Sequence, residues 1–187
     1  MKIYIRSNDY EDLEVADQQF SSKSTAINAK QNKLPTIFKL VSFPRNSLVL
    51  DYGGEMQAEM IANDYLAQFG CEDVVYDKYN QTSAEQSAAI KRIRDNGGAD
   101  VAVCSNVLNV IAEDEARLVV LRNIKKLTKA GAPVYFTVHE GDGKGGSRPT
   151  GKDQFQQYRK TDTYLDEIRQ VFPDATRKGK LISATNR

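Results

Sequence analysis

The sequence predicts an α/β fold: a doubly wound, mainly parallel sheet with helices on both faces and a C-terminal antiparallel hairpin. Three observations predict it. Short apolar runs at Leu48–Asp51, Asp73–Asp77, Asp100–Ser105 and Pro133–His139 alternate with longer segments of helical spacing, the pattern of strand–helix–strand units. The run DVAVCS (Asp100–Ser105) is apolar on nearly every residue, as a strand covered on both faces must be. The first run ends in DYGG (Asp51–Gly54), a carboxylate and two glycines where a strand gives way to a helix. Open α/β sheets place their ligands at such turns.

Each element follows from local chemistry. Residues 1–20 carry a candidate short strand, Lys2–Arg6, and an acidic stretch of Asp9, Glu11, Asp12, Glu14 and Asp17. Pro35–Leu40 reads as a short helix, with proline tolerated in its first turn. After strand Leu48–Asp51 comes a helix from about Met56 to Phe69, its inner face taken from Met60, Ile61, Tyr65, Leu66 and Phe69, with Gly70 as its left-handed cap. Asp73–Asp77 is the second strand. Ser83 with Gln86 forms a capping-box pattern that opens a helix to about Asp95, broken by Asn96–Gly98. Asp100–Ser105 is the third strand and Asn106–Ile111 a loop. Glu113–Ala130 is a strong helix with Leu118, Leu121, Ile124 and Leu127 on one face, acids at its start and lysines at its end, the polarity the helix dipole favours. Pro133–His139 is the fourth strand. Glu140–Lys160 is long, polar and rich in glycine and basic residues, and is expected to be a mobile loop or lid. A helix at Thr161–Phe172 turns Tyr164, Leu165, Ile168 and Val171 inward. Segments Ala175–Arg177 and Lys180–Thr185 close the chain as a hairpin about Gly179.

Composition bounds the function. The 187 residues, 40% hydrophobic and 27% charged, suit one domain, 1–187, with an N-terminal extension and lead-in helix at 1–40. No apolar run reaches membrane-spanning length and the start MKIYIRSNDYEDLE has no secretory core, so a cytoplasmic protein with no membrane partner is expected. Two cysteines, Cys71 and Cys104, with the single His139, cannot build a typical structural zinc site, and no metal is expected. The net charge of +1 neither favours nor excludes nucleic acid. The local run Lys144, Arg148, Lys152, Arg159 and Lys160, interleaved with Phe155 and Tyr158, suits either a nucleic-acid contact or a basic helix covering the core.

The informative constellation is a pair of strand-end acids, Asp51 and Asp77, facing one crevice of a doubly wound sheet. Asp77 is placed to accept hydrogen bonds from ribose hydroxyls, and the third strand delivers Cys104, Ser105, Asn106 and Asn109 to the same edge. The competing reading makes both acids simple turn caps. With VLDYGG (Val49–Gly54), VVYD (Val74–Asp77), ADVAVCSNVLNVI (Ala99–Ile111) and PVYFTV (Pro133–Val138), the chain resembles the class I S-adenosylmethionine-dependent methyltransferases from about Leu34 onward. The resemblance implies a Rossmann-like fold and S-adenosylmethionine as cofactor. It implies that Asp51 orients the methionine amino group, that Gly53 and Gly54 let the cofactor pass the backbone, and that Asp77 binds the ribose. It implies further that Ser105 to Asn109, Asn106 included, line the methyl-transfer end. LDYGG, YDKYN (Tyr76–Asn80), SNVLNVI (Ser105–Ile111) and the upstream Thr25–Ala26–Ile27 look closest to small methyltransferase-like proteins of bacteria and their mobile elements. One such group is associated with DNA phosphorothioation.

The departures are informative too. Glu55 stands where many members have a third glycine, which opens the alternative of a degenerate, non-catalytic fold serving as an interaction or nucleic-acid-binding module. The usual strand after Asp77 is replaced by helix. His139, at a strand tip, is a candidate general base or an ordinary strand-end histidine. Gly141–Gly146 lacks the context of a phosphate loop and reads as a hinge. Tyr79–Asn80 suits a ribose or adenine contact or a tight turn, and Cys104 reads as a core thiol.

Overall fold

A computed structural model describes residues 13–23, 33–54 and 56–187, with the side chains of 56–59 left aside. The candidate strand Lys2–Arg6, Asp9, Glu11, Asp12, the Thr25–Ile27 segment and Glu55 lie outside the described residues.

The strands are β1 (Leu48–Tyr52), β2 (Glu72–Tyr76), β3 (Val101–Ser105), β4 (Pro133–Thr137), β5 (Gly146–Gly151), β6 (Gln154–Tyr158), β7 (Thr176–Lys178) and β8 (Leu181–Thr185). The helices are α1 (Ile37–Leu40), α2 (Met56–Ala67), α3 (Ser83–Asp95), α4 (Asp114–Leu127) and α5 (Leu165–Arg169). Six strands form one sheet in the order β2-β1-β3-β4-β8-β7. The first four are parallel, and β8 and β7 add antiparallel.

Strand side chains alternate between faces, and this sorts the core into two layers. Leu48 and Leu50 of β1 join Ile90 and Ile93 of α3, Leu121 and Ile124 of α4 and Ile168 of α5. Val49, with Val101 and Val103 of β3, packs against Ile37 and Phe38 of α1 and Ala62 and Leu66 of α2. The doubly wound prediction holds, and α3 occupies Ser83–Asp95, as the helical reading of that interval expected.

Four local expectations change. The capping box belongs to Thr82 and Glu85, one residue earlier than Ser83 and Gln86: Thr82 N donates to Glu85 Oε2 at 2.7 Å and Glu85 N to Thr82 Oγ1 at 3.3 Å. Met60 is 76% exposed, so it is not part of the inner face of α2. Thr161–Phe172 begins as a 3₁₀ turn (Thr161–Tyr164) before the short α5.

The fourth change is the largest. The Glu140–Lys160 segment carries regular structure, and its part Arg148–Lys160 is no helix. The segment folds as the antiparallel hairpin β5–β6. Every residue of β5 is exposed and only Phe155 of β6 is buried, so the hairpin stands off the main sheet without the apolar alternation that betrays a strand. Its anchor is the Phe155 ring, stacked on Phe20 at 5.7 Å between centroids.

Candidate functional site

The first four strands are parallel, so their carboxyl ends share one edge. Strand order reverses between β1 and β3, the position where such sheets open a crevice. A cleft of about 440 Å³ lies there, and Asp51, Gly53, Gly54, Asp77, Ser105, Asn106, Asn109 and His139 all line it. The residues singled out as the cofactor and catalytic set therefore meet in one place.

The glycine loop is built by crowding. Gly53 has φ +75°, a backbone conformation that side chains disfavour. Its N–H donates to the Tyr76 carbonyl at 2.8 Å, tying the end of β1 to the end of β2. The Val107 side chain occupies the space that a Cβ at Gly53 would need. A Cβ at Gly54 would fall on the Asp51 carboxylate. Asp51 is 5% exposed, so the DYGG sequence lets a nearly buried carboxylate face the cleft beside bare backbone.

Asp77 follows β2 and does two things. Its Oδ1 accepts from the backbone N–H groups of Tyr79 (2.7 Å) and Asn80 (3.0 Å), and its Oδ2 from Asn80 Nδ2 (2.8 Å). It thus closes the turn, as the simpler reading proposed, while lining the cleft. That turn aims the half-buried Tyr79 into the same space. Lys78 Nζ lies 3.2 Å from the Tyr79 hydroxyl and 4.8 Å from its ring centroid. Burial, then the nearby carboxylates of Glu113, Asp153, Asp77 and Asp17, push the phenol up to about 12, which keeps it protonated and neutral.

On the opposite wall Ser105 Oγ sits 3.2 Å from Thr137 Oγ1. Asn106 is held at φ +57°, its N–H bonded to the Thr137 carbonyl at 2.9 Å, which leaves its side chain exposed at the mouth. Asn109 is 1% exposed. Its Nδ2 donates to Gln156 Oε1 at 3.3 Å and its Oδ1 accepts from the His139 N–H at 3.3 Å. Gln156 Nε2 returns to the His139 carbonyl at 3.4 Å. Asn109 therefore fastens the β5–β6 hairpin and the end of β4 to the cleft wall. The His139 ring lies exposed at the rim. Cys104 is fully buried in the core, and burial with the nearby Asp51 charge raises its thiol far above the ordinary range.

Sequence reasoning missed the cleft's roof. Residues 13–23 form a strap, and Gln18, Ser21, Ser22 and Lys23 line the cleft. Leu13 and Ala16 are buried, Asn123 of α4 brackets Glu14 through both backbone polar groups at 2.8 Å, and Ser21 bonds the Asp153 carboxylate through its N–H and its hydroxyl. The strap has no secondary-structure period, so scattered apolar residues such as Leu13, Ala16 and Phe20 were its faint signal.

The basic run also divides. Lys144, Arg148, Lys152 and Lys160 are exposed. Arg159 is instead tied to Glu167 at 2.6 Å and lies 3.7 Å over the Tyr164 ring, so its guanidinium is a structural ion and not an available phosphate contact.

Among the described residues no helix is long and apolar enough to cross a membrane. No protein-family model and no curated protein matches the chain. Solved structures do. A Burkholderia thailandensis 1,6-didemethyltoxoflavin-N1-methyltransferase, with 1,6-didemethyltoxoflavin and S-adenosylhomocysteine bound, is 17% identical with a TM-score of 0.54, over 75% of this chain and 71% of that one. Human N-acetylserotonin methyltransferase in complex with S-adenosylmethionine is 16% identical with a TM-score of 0.52, over 85% and 51%. A mitomycin 7-O-methyltransferase is 14% identical with a TM-score of 0.53, over 84% and 53%. The chain spans about half the length of these last two. At such identities the likeness shows the fold: a Rossmann-like sheet of the kind found in S-adenosylmethionine-dependent methyltransferases.

Proposed function

We propose that this chain is an S-adenosylmethionine-dependent methyltransferase. The observation that carries the reading is the convergence of Asp51, Gly53, Asp77 and the Ser105–Asn109 loop on one cleft at the switch point of the sheet. The volume of about 440 Å³ falls in the ~300–1,000 Å³ range of small-molecule sites.

The residues present fit the cofactor. Asp51 supplies an acceptor for an amino group next to backbone bared by Gly53 and Gly54. Asp77, already ordered by its turn, supplies one for a ribose hydroxyl, and the neutral Tyr79 ring offers a flat apolar face to the nucleoside. Bound there, S-adenosylmethionine would supply a methyl on a sulfonium, whose carbon–sulfur bond breaks toward sulfur as the acceptor's lone pair forms the new bond. The protein's task is alignment and water exclusion, which the strap and hairpin perform as a roof. Asn106 and Ser105 are assigned to orienting the acceptor, and His139 at the rim to taking the proton it gives up. Asn109 acts by holding His139 and Gln156 in place.

The resemblance to small bacterial and mobile-element methyltransferase-like proteins, including the DNA phosphorothioation-associated group, and a cytoplasmic location belong to this same proposal. So does a nucleic-acid partner reached through Lys144, Arg148, Lys152 and Lys160. Isothermal titration with S-adenosylmethionine and S-adenosylhomocysteine tests the core claim. Saturable binding, weakened at least tenfold by Gly53→Val, is expected. Absence of binding at millimolar ligand would overturn it.

A further inference from the structure

We propose that the methyl acceptor is a single-stranded nucleic acid, gripped by basic side chains that continue the cleft along the β5–β6 hairpin and the β7–β8 turn. The word acceptor rests on the methyltransferase reading. The grip rests on the surface itself.

The cleft does not end at His139. In the antiparallel pairing of β5 and β6, Arg148 stands opposite Gln156, and opposed residues project to the same face. Gln156 lines the first cleft, so Arg148 extends its wall. Tyr158, two residues along β6, is on that face too. It helps form a second cleft of about 490 Å³ with Lys144, Arg148 and Asp142. Arg148 lies 5.3 Å over the Tyr158 ring, and the Gly141 backbone packs so closely on that ring that a Cβ there would collide with it. The ring is therefore a support that holds a guanidinium at the surface. A guanidinium held in this way suits phosphate oxygens.

The positive charge continues beyond the hairpin. Because β8 runs antiparallel to β4, with Phe136 opposite Ile182, the turn before β8 lies at the carboxyl edge of the sheet, beside His139. The end of β7 and that turn carry Arg177, Lys178 and Lys180, all exposed. Arg177 and Lys180 are near enough to Glu140 to help hold its carboxyl below the ordinary range, after the larger effect of its bonds from Thr161.

The acids on these segments are few and mostly engaged. Glu140 accepts from Thr161 N and Oγ1 at 2.8 and 2.7 Å, Asp153 accepts from Ser21, and Asp142 accepts from the Lys144 N–H at 3.1 Å. These two segments carry seven exposed cations, Lys144, Arg148, Lys152, Lys160, Arg177, Lys178 and Lys180, against the three acids Glu140, Asp142 and Asp153. Charge on both sides of the rim exceeds what a single phosphate requires and suits phosphates repeated along a strand. A base stacked in a duplex cannot enter the cleft, so the acceptor base must stand unstacked, as a single strand already presents it.

Fluorescence anisotropy with end-labelled DNA and RNA of roughly 20 nucleotides, longer than the site of one small domain, tests the grip on the full chain. Binding is expected to weaken at least tenfold between about 50 and 200 mM salt. It should fall at least tenfold in the double variant Lys144→Glu/Arg148→Glu and stay unchanged in Lys39→Glu on the exposed side of α1. S-adenosylhomocysteine titrations of each variant report that the cleft is intact. Three results would overturn the proposal: no oligonucleotide binding at low salt, equal binding by the double variant, or displacement by a mononucleotide or polyglutamate as effective as by unlabelled strand. If S-adenosylhomocysteine fails to bind while the oligonucleotide is held, the methyltransferase reading falls and the grip stands.

Discussion

A methyl group added at Gly54 would land on the Asp51 carboxylate, so one position of the loop is dictated by the side chain three residues before it. Gly54→Ala is expected to cost about 1–3 kcal/mol, as overpacking does, and to abolish S-adenosylhomocysteine binding, read by urea denaturation and calorimetry. Asp77 poses a sharper question because it both closes a turn and faces the cleft. Exchanging partners in Asp77→Asn/Asn80→Asp keeps an oxygen for the backbone N–H groups and preserves a side-chain pair. The exchange should leave stability within about 1 kcal/mol yet weaken cofactor binding at least tenfold. Binding at the wild-type level would reduce Asp77 to a turn cap. Cys71 and Cys104 are both buried, and Cys104 has a raised thiol, so neither should react with a thiol reagent until denaturant is added.

At the scale of elements, the strap and α4 are joined by charge. Burial alone would raise the Glu14 carboxyl, but hydrogen bonds and charge from Arg122 and Lys126, at 2.6 and 3.3 Å, outweigh it and hold the carboxyl below 4.5. A carboxylate lowered on folding contributes stability that is complete above its ordinary range and is lost as pH falls through the lowered native value. Acid should therefore loosen the strap before the sheet. The hydrogen-exchange protection of residues 13–22, corrected for intrinsic rates, should fall as acid protonates Glu14 in the wild type, and the fall should be smaller in Glu14→Gln. A deeper tie joins α4 to α5. Arg117 is 1% exposed and bonds Glu167, Asp114 and the carbonyls of Ile111 and Ala112. Replacing it with alanine leaves those acceptors without their cation and should cost about 3–5 kcal/mol in denaturant titration.

At the scale of the molecule, β2 ends the sheet among the described residues, and α3 fills the interval where a further strand would widen it. The Asp77 end of the cleft is walled by the Asp77–Asn80 turn and roofed by the strap. Ligand and roof should stabilise each other. A ligand at a hundred times its Kd adds about 2.7 kcal/mol, so S-adenosylhomocysteine should raise Tm by roughly 5–10 °C. A protein lacking residues 1–23 should show a smaller rise.

What the sequence determined by itself is the parallel sheet and the contents of the cleft. Buried parallel strands must be apolar throughout, and a strand-to-helix turn passing a carboxylate needs glycine, so β1 to β4, Asp51, Gly53 and Asp77 were all legible in one dimension. The strap, the β5–β6 hairpin and the pairing of Arg159 with Glu167 were decided only in three dimensions. The first two lie at the edge of the core, one anchored by Leu13 and Ala16 and the other by Phe155, too few contacts to impose a period on the surrounding residues. Arg159 reads as one cation among five until folding brings Glu167 and Tyr164 against it. Local sequence records repeated burial on a regular lattice. It does not record single long-range contacts, and the roof of this cleft is made of those.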